Sequence, residues 1–167
     1  RITETAKALW YVYLTFTLAC GASYMLAGMN WFDALCHAFS TVAIGGFSTH
    51  DLSMGYFDST AIELVAIVFM FAAGINFSLH FYAWRYVSIS HYSQDPEFRG
   101  YFVILLGVAA LVIFGLFRHQ VFDSPGETIV TGLFQAVSIA TTTGFTTADY
   151  AAWPAAVPVL LIFASFI

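Results

Sequence analysis

The chain has 167 residues, 60% of them hydrophobic and only 9% charged, with five Lys plus Arg against ten Asp plus Glu and a formal net charge of -5. Soluble domains carry about 25% charged residues, so this composition belongs to a protein whose helices face lipid. Five bases leave no basic patch for a nucleic acid, and Cys20 and Cys36 have neither metal-ligand spacing nor a disulfide framework, so they read as small apolar fillers.

A transmembrane helix needs about 20 mostly apolar residues to cross a hydrocarbon core of about 30 Å. Ala8 to Met29 is the first such run. The segment before it, Arg1 to Lys7, lacks an initiator Met, and no small-residue cleavage site follows at the usual distance, so the run reads as a span and not as a secretory signal. Asn30-Trp31-Phe32-Asp33 then offers a helix start, and Ala34 to Val42 is too short to cross, a length more often re-entrant or interfacial. A second span runs from Ala61 to Ala83, with Thr60 and Glu63 reading as a capping box at its start. Asn76 and His80 lie four residues apart on one face of that span, where polar groups are functional candidates. The small residues Gly74 and Ser78 beside them favour a packing role with interhelical hydrogen bonds.

Arg85 to Gly100 is polar and contains the turn-forming Ser93-Gln94-Asp95-Pro96-Glu97. Tyr101 to Phe117 forms the third span. Ser124-Pro125-Gly126-Glu127 then reads as a capping box with Pro at the first helical position, opening another short helix. A fourth apolar run starts near Pro154 and continues to Ile167, which leads us to expect a piece of a longer polypeptide. The positive-inside rule puts Arg1, Lys7, Arg85 and Arg99 in the cytoplasm, with Arg118 the exception. His91 and His119 fall at loop positions and receive no role.

One short segment occurs twice. Gly45-Gly46-Phe47-Ser48-Thr49-His50-Asp51 and Thr143-Gly144-Phe145-Thr146-Thr147-Ala148-Asp149 each follow a short helix and, on this topology, both lie on the external side. An offset of 98 residues pairs Ser40 with Ser138, Gly46 with Gly144, Phe47 with Phe145, Thr49 with Thr147 and Asp51 with Asp149. The two halves share one orientation, unlike the inverted repeats of many secondary transporters. Ion filters replace a cation's hydration shell with backbone carbonyls, and a backbone that aims carbonyls one way needs conformations glycine adopts without a Cβ penalty. Non-helical backbone at membrane depth is tolerated only where protein buries it or it lines a water-filled cavity. The negative C-terminal end of each short helix would add to the attraction for a cation.

Thr41-Val42-Ala43-Ile44-Gly45-Gly46-Phe47-Ser48-Thr49 and Ile139 to Asp149 resemble the selectivity loops of the Trk/Ktr/HKT superfamily of potassium transporters, and the similarity covers essentially the whole chain. The resemblance implies an all-α integral membrane fold of tandem repeats like those of a potassium channel. Residues 1–98 are expected to form one pore repeat, with outer helix 8–29, pore helix 31–42, filter 43–49 and inner helix 59–84. Residues 99–167 would form a second, truncated in its inner helix, with outer helix 100–120, pore helix 125–140, filter 141–147 and inner helix from 154. These resemble the second and third of the family's four repeats.

Carried over residue by residue, the resemblance gives filter carbonyls at Ile44, Gly45, Gly46 and Phe47 and at Thr142, Thr143, Gly144 and Phe145. Ser48 and Thr146 replace the channel signature's second glycine, which implies a filter less strict between potassium and sodium. Asp51 and Asp149 are candidates for an outer vestibule, or else solvated caps. Also implied are passive potassium uptake across a bacterial inner membrane by a multi-pass protein, a homodimer embedded in lipid, and a cytoplasmic nucleotide-binding regulatory subunit. Potassium is the transported substrate, with no covalently bound cofactor and no catalytic residue. Two other classes stand beside this reading. A membrane-embedded metal enzyme would use His37, His50 and Asp51, although a thirteen-residue gap has no ligand logic and Gln135 and Ala148 stand at the matching positions. A non-conducting scaffold subunit would tolerate replacement of Gly46 and Gly144.

Overall fold

The computed structural model describes residues 2–86 and 88–166, apart from the side chains of residues 2, 3 and 5; Arg1, used above to orient the chain, lies outside the described residues. Eight α-helices appear among them: α1 Ile2–Leu26, α2 Trp31–Val42, α3 Thr60–Ala73, α4 Phe77–Tyr86, α5 Ser90–Gln94, α6 Pro96–Arg118, α7 Pro125–Ala140 and α8 Ala156–Ala164. Short 3-10 turns at Ser53–Phe57 and Tyr150–Ala152 follow the two repeated loops. Helices α1 and α6 are long and apolar enough to cross a membrane, and α3 with α4 would make a third span if the bent pair is counted as one.

The helices form two similar groups. In the first, α2 packs along α1, with α3 and α4 also against α1; in the second, α7 packs along α6, with α8 against both. The joint between them is α3 on α7. Buried residues of α1 (Val12, Thr17, Cys20, Tyr24) lie on one side, while Trp10, Leu18, Met25 and Leu26 are exposed, as expected of a helix with lipid on its outer face. Helix α6 has the same division: Leu105, Ala109, Val112 and Leu116 are buried and Val103, Leu111 and Phe114 exposed.

Local starts differ from the sequence expectation in three places. Asn30, which offers the weaker start, is the helix cap that closes: its Oδ1 accepts from Asp33 N at 2.9 Å and its Nδ2 donates to Asp33 Oδ2 at 2.6 Å. Ser124 occupies the N-cap of α7 with Pro125 next, but its side chain makes no capping bond, so the Ser124–Glu127 box is not formed. At α3 the N-cap is Ser59, with Thr60 already helical and no side-chain cap, so the Thr60–Glu63 box is not formed either.

The second span is broken. Helices α3 and α4 meet at 91° across residues 74–76, where a continuous helix was expected. Asn76 lies in the break and caps α4, accepting from Ser78 N at 3.0 Å. An Asn at this point supplies the acceptor that starts a new helix, so Asn76 and His80 do not share a helical face. The expected small-residue pair also separates. Gly74 closes α3, where a Cβ would lie 2.6 Å from the Tyr101 hydroxyl of α6, whereas Ser78 stands in the first turn of α4 beyond the bend. His80 holds the bend: its Nε2 donates to the Ala72 carbonyl at 2.9 Å, and its Nδ1 accepts from the Tyr92 hydroxyl at 2.7 Å.

Candidate functional site

Helix α2 ends in a tight turn where Ile44 N donates to Thr41 O at 3.2 Å and Gly45 N to Ser40 O at 2.7 Å. Helix α7 ends similarly, with Thr142 N on Ile139 O at 3.0 Å and Gly144 N on Ser138 O at 3.2 Å. Both chains then take the same unusual path. Positive φ occurs at Ile44 (53°) and Gly46 (67°) in the first loop and at Thr142 (59°) and Gly144 (87°) in the second. Each pair matches its counterpart under the 98-residue offset, and the residue between, Gly45 or Thr143, has no positive φ. Left-handed conformation in a β-branched residue is an outlier, and finding it twice at equivalent positions marks two copies of one built conformation. Alternating handedness turns successive peptide groups toward one side of the strand.

The loops lie against each other. An ideal Cβ on Gly46 would stand 1.9 Å from the Thr143 carbonyl oxygen, so only a glycine permits this approach. Phe145 is fully buried, its ring 5.8 Å from that of His37 in the other half, while its counterpart Phe47 is 81% exposed. The Phe145 carbonyl accepts from Ser138 Oγ at 2.6 Å, so of the four carbonyls expected in the second loop this one is turned toward α7.

Behind the first loop is a polar cluster centred on Asp33, which is 4% exposed. Its carboxylate accepts from Thr49 Oγ1 at 2.5 Å, Asn30 Nδ2 at 2.6 Å and His50 Nε2 at 3.0 Å. Burial raises the pKa of Asp33, but the hydrogen bonds from Thr49, His50 and Asn30, together with the His50 ring's charge, outweigh it and hold the carboxyl below its usual range. His37 Nδ1 donates to the Asp33 carbonyl at 2.8 Å, which leaves Nε2 of a neutral ring to accept from Ser48 Oγ at 2.9 Å. His37 and His50 are therefore committed to bracing the loop. Asp51 is exposed and apart from them, and no group of three His, Cys, Asp or Glu converges as a metal site among the described residues.

The second loop is braced by the other half. Thr146 N donates to Ser53 Oγ at 3.2 Å, and Gly55 N donates to Thr146 O at 3.0 Å. Thr131, Gln135, Thr147 and Ala148 stand where the first half has Asp33, His37, Thr49 and His50, so no carboxylate–histidine pair forms there. Both amide atoms of Gln135 and the hydroxyl of Thr147 are buried without a partner. Asp149 caps the following turn through Ala151 N at 3.2 Å, and Cys20 and Cys36 are free thiols. Asp33, Ser53 and Gly55 are the residues that sequence reasoning missed. Asp33 was detectable only as the acid three residues after Asn30, and Ser53 and Gly55 carried no local signal.

Paired short helices, each delivering a loop of alternating handedness to the same place between membrane-length helices, define a membrane protein of the pore-loop class. A profile of the TrkH family, described as a cation transport protein, matches residues 1–167. The chain is 53% identical over 167 residues to the Trk system potassium uptake protein TrkH of Halomonas elongata, covering 100% of this chain and 34% of that protein. It is 46% identical over 167 residues to TrkH of Escherichia coli K12, covering 100% of this chain and 35% of the relative. The crystal structure of the potassium transporter TrkH from Vibrio parahaemolyticus superposes with a TM-score of 0.97 at 52% identity, over 99% of this chain and 36% of that one. The chain belongs to the TrkH family of cation transport proteins and spans about a third of the length of the curated relatives it matches.

Proposed function

We propose that the full protein takes up potassium through a filter to which this chain contributes two of four walls. The observation that carries the reading is the shared backbone path of the two loops, with positive φ at Ile44 and Gly46 and again at Thr142 and Gly144. Residues 1–98 and 99–167 act as successive pore repeats. The ion meets carbonyls of Ile44, Gly45, Gly46 and Phe47 and of Thr142, Thr143 and Gly144, with Phe145 contributing through its ring and backbone position. Support for further walls comes from Phe47: its partner Phe145 is buried against the preceding half, whereas Phe47 is exposed, so a preceding repeat would supply its socket. Asp51 and Asp149, both exposed, face the outer vestibule in this arrangement.

The names of the relatives, all potassium uptake proteins of a Trk system, support potassium as the cargo. By family resemblance the protein is a multi-pass component of the bacterial inner membrane, acts as a homodimer and is gated by a cytoplasmic nucleotide-binding subunit. The test is flux: full-length protein in liposomes should pass potassium and rubidium down their gradients, with measurable but lower sodium permeability. Absence of any cation flux above that of empty liposomes refutes the reading.

A further inference from the structure

We infer that His37 is a positioning residue for the outermost ion site of the filter, acting through Ser48 on the Phe47 carbonyl; the inference rests on the filter reading above. Phe47 carries the last of the four expected carbonyls before the first loop returns to the external side, and among the described residues that carbonyl accepts no hydrogen bond. It belongs to the same planar peptide group as Ser48 N, so whatever holds Ser48 limits how the carbonyl can turn. The Ser48 hydroxyl is held from two sides, donating to His37 Nε2 at 2.9 Å and accepting from His50 N at 3.1 Å. His37 cannot follow a displaced Ser48. Its ring is fully buried, its Nδ1 donates to the Asp33 carbonyl at 2.8 Å, and it lies edge-on to Phe57 with ring centres 5.3 Å apart. A neutral imidazole presents one donor and one acceptor on a rigid ring, which is what joining a carbonyl on α2 to a hydroxyl in the loop requires.

The second loop is built the other way at the same position. Ser138 Oγ donates to the Phe145 carbonyl at 2.6 Å, whereas the hydroxyl of its counterpart Ser40 is buried without a partner. Thr146, the counterpart of Ser48, is held by its backbone through Ser53 Oγ and Gly55 N. Gln135, which stands in the place of His37, has neither amide atom hydrogen-bonded among the described residues. One loop therefore pins its outermost carbonyl to the short helix, and the other leaves that carbonyl free and pins the residue after it. Between them the two loops offer one free carbonyl at this level, that of Phe47. A cation entering a filter exchanges waters for such oxygens, so the Phe47 oxygen carries this side of the exchange, and its aim depends on the His37–Ser48 bond.

The experiment is rubidium uptake by the full-length protein in liposomes over a range of external concentrations. Ions arriving from outside meet the outermost site first, so its affinity enters KM. His37→Phe keeps a ring in the pocket and Ser48→Ala keeps the backbone, and each removes the same hydrogen bond. Each should raise KM about fivefold, the worth of one hydrogen bond, and change the maximal rate far less. The two losses share one contact and should not add, so the double variant should match the single ones. Ser48 is half-buried and loses only its hydroxyl, so Ser48→Ala carries the test even where His37→Phe fails to fold. An unchanged KM in Ser48→Ala, a fall in maximal rate with KM unmoved, or additive losses in the double variant would each overturn the inference. Absence of flux in the wild-type protein would instead refute the filter reading itself.

Discussion

Replacing Gly46 by Ala puts the ring arrangement to a quantitative test. The added Cβ would lie 1.9 Å from the Thr143 oxygen, where ordinary contact begins at 3.4 Å, so the loops must separate by about 1.5 Å. Holding an L-residue at φ 67° costs a further 1–2 kcal/mol or so. At about 1.4 kcal/mol per factor of ten, backbone strain alone should lower the population of the competent loop by roughly tenfold, and the displaced carbonyl lowers transport more. Gly144 has φ 87° and nothing within 4 Å of its Cβ position in this chain. If two loops were the whole filter, Gly144→Ala would be the milder lesion. In a closed four-sided ring, Gly144 meets a carbonyl of the following repeat just as Gly46 meets Thr143, and the two variants should be equally damaging. Gly28, at φ 110° with nothing within 4 Å and outside both loops, is the control for strain without a filter effect. The assay is rubidium uptake and sodium-to-potassium selectivity by full-length protein carrying each change. Near-normal transport by Gly46→Ala refutes the packing argument, and a severe Gly46→Ala beside a mild Gly144→Ala refutes ring closure.

Three other perturbations have defined outcomes. Ser53→Ala removes the acceptor of the part-buried Thr146 amide, at about 1 kcal/mol, and should alter sodium-to-potassium selectivity through the second loop although Ser53 lies in the first half; unchanged selectivity would show that the clamp does not hold the loop. Asp33→Asn should destabilise the protein at neutral pH, as seen in thermal melts. Because the folded pKa of Asp33 is depressed, its contribution is complete above the ordinary value of 3.8 and is lost only as pH falls through the lower folded value. A stability transition near neutral pH that Asp33→Asn abolishes would contradict that sign. His80→Phe keeps the ring but leaves the Ala72 carbonyl only its bond from Ile75 N at 3.2 Å and removes the acceptor of the half-buried Tyr92 hydroxyl, so the bend should lose about 1 kcal/mol, read as faster amide exchange across residues 72–80; wild-type exchange there would remove His80 from the bend.

How far these features could be read from sequence follows the range of the interactions involved. Gly46 and Gly144 were legible because a positive φ selects glycine and leaves a mark in composition. Ile44 and Thr142 left none, since their side chains oppose the conformation they adopt, and such strain persists only where surrounding structure over-determines it. The break between α3 and α4 was hidden for another reason. Hydropathy averages over Ile75 and Phe77 and treats Asn76 as one polar position on a continuous face, although a single side-chain acceptor is enough to start a new helix. At α7 the pattern Ser124-Pro125-x-Glu127 located the start correctly while the capping bond it suggests was not made; at α2 the less regular Asn30–Asp33 pair made both. Spacing identifies where a helix begins better than it identifies which bonds close it.

The Ser53–Gly55 clamp and the Phe145 socket have one consequence in common. Each fixes the second loop with groups that belong to the first half, while the first loop takes its bracing from Asp33 and His37 on its own helix and from His50 at its far end. In the proposed filter such a repeat would not be a self-sufficient wall, because the second loop is held partly by Ser53 and Gly55 in the segment that follows the first loop. A lesion in one linker should therefore appear as altered selectivity at the next loop, and the filter's tolerance of substitutions should follow the order of repeats around the ring and not distance from the pore axis alone.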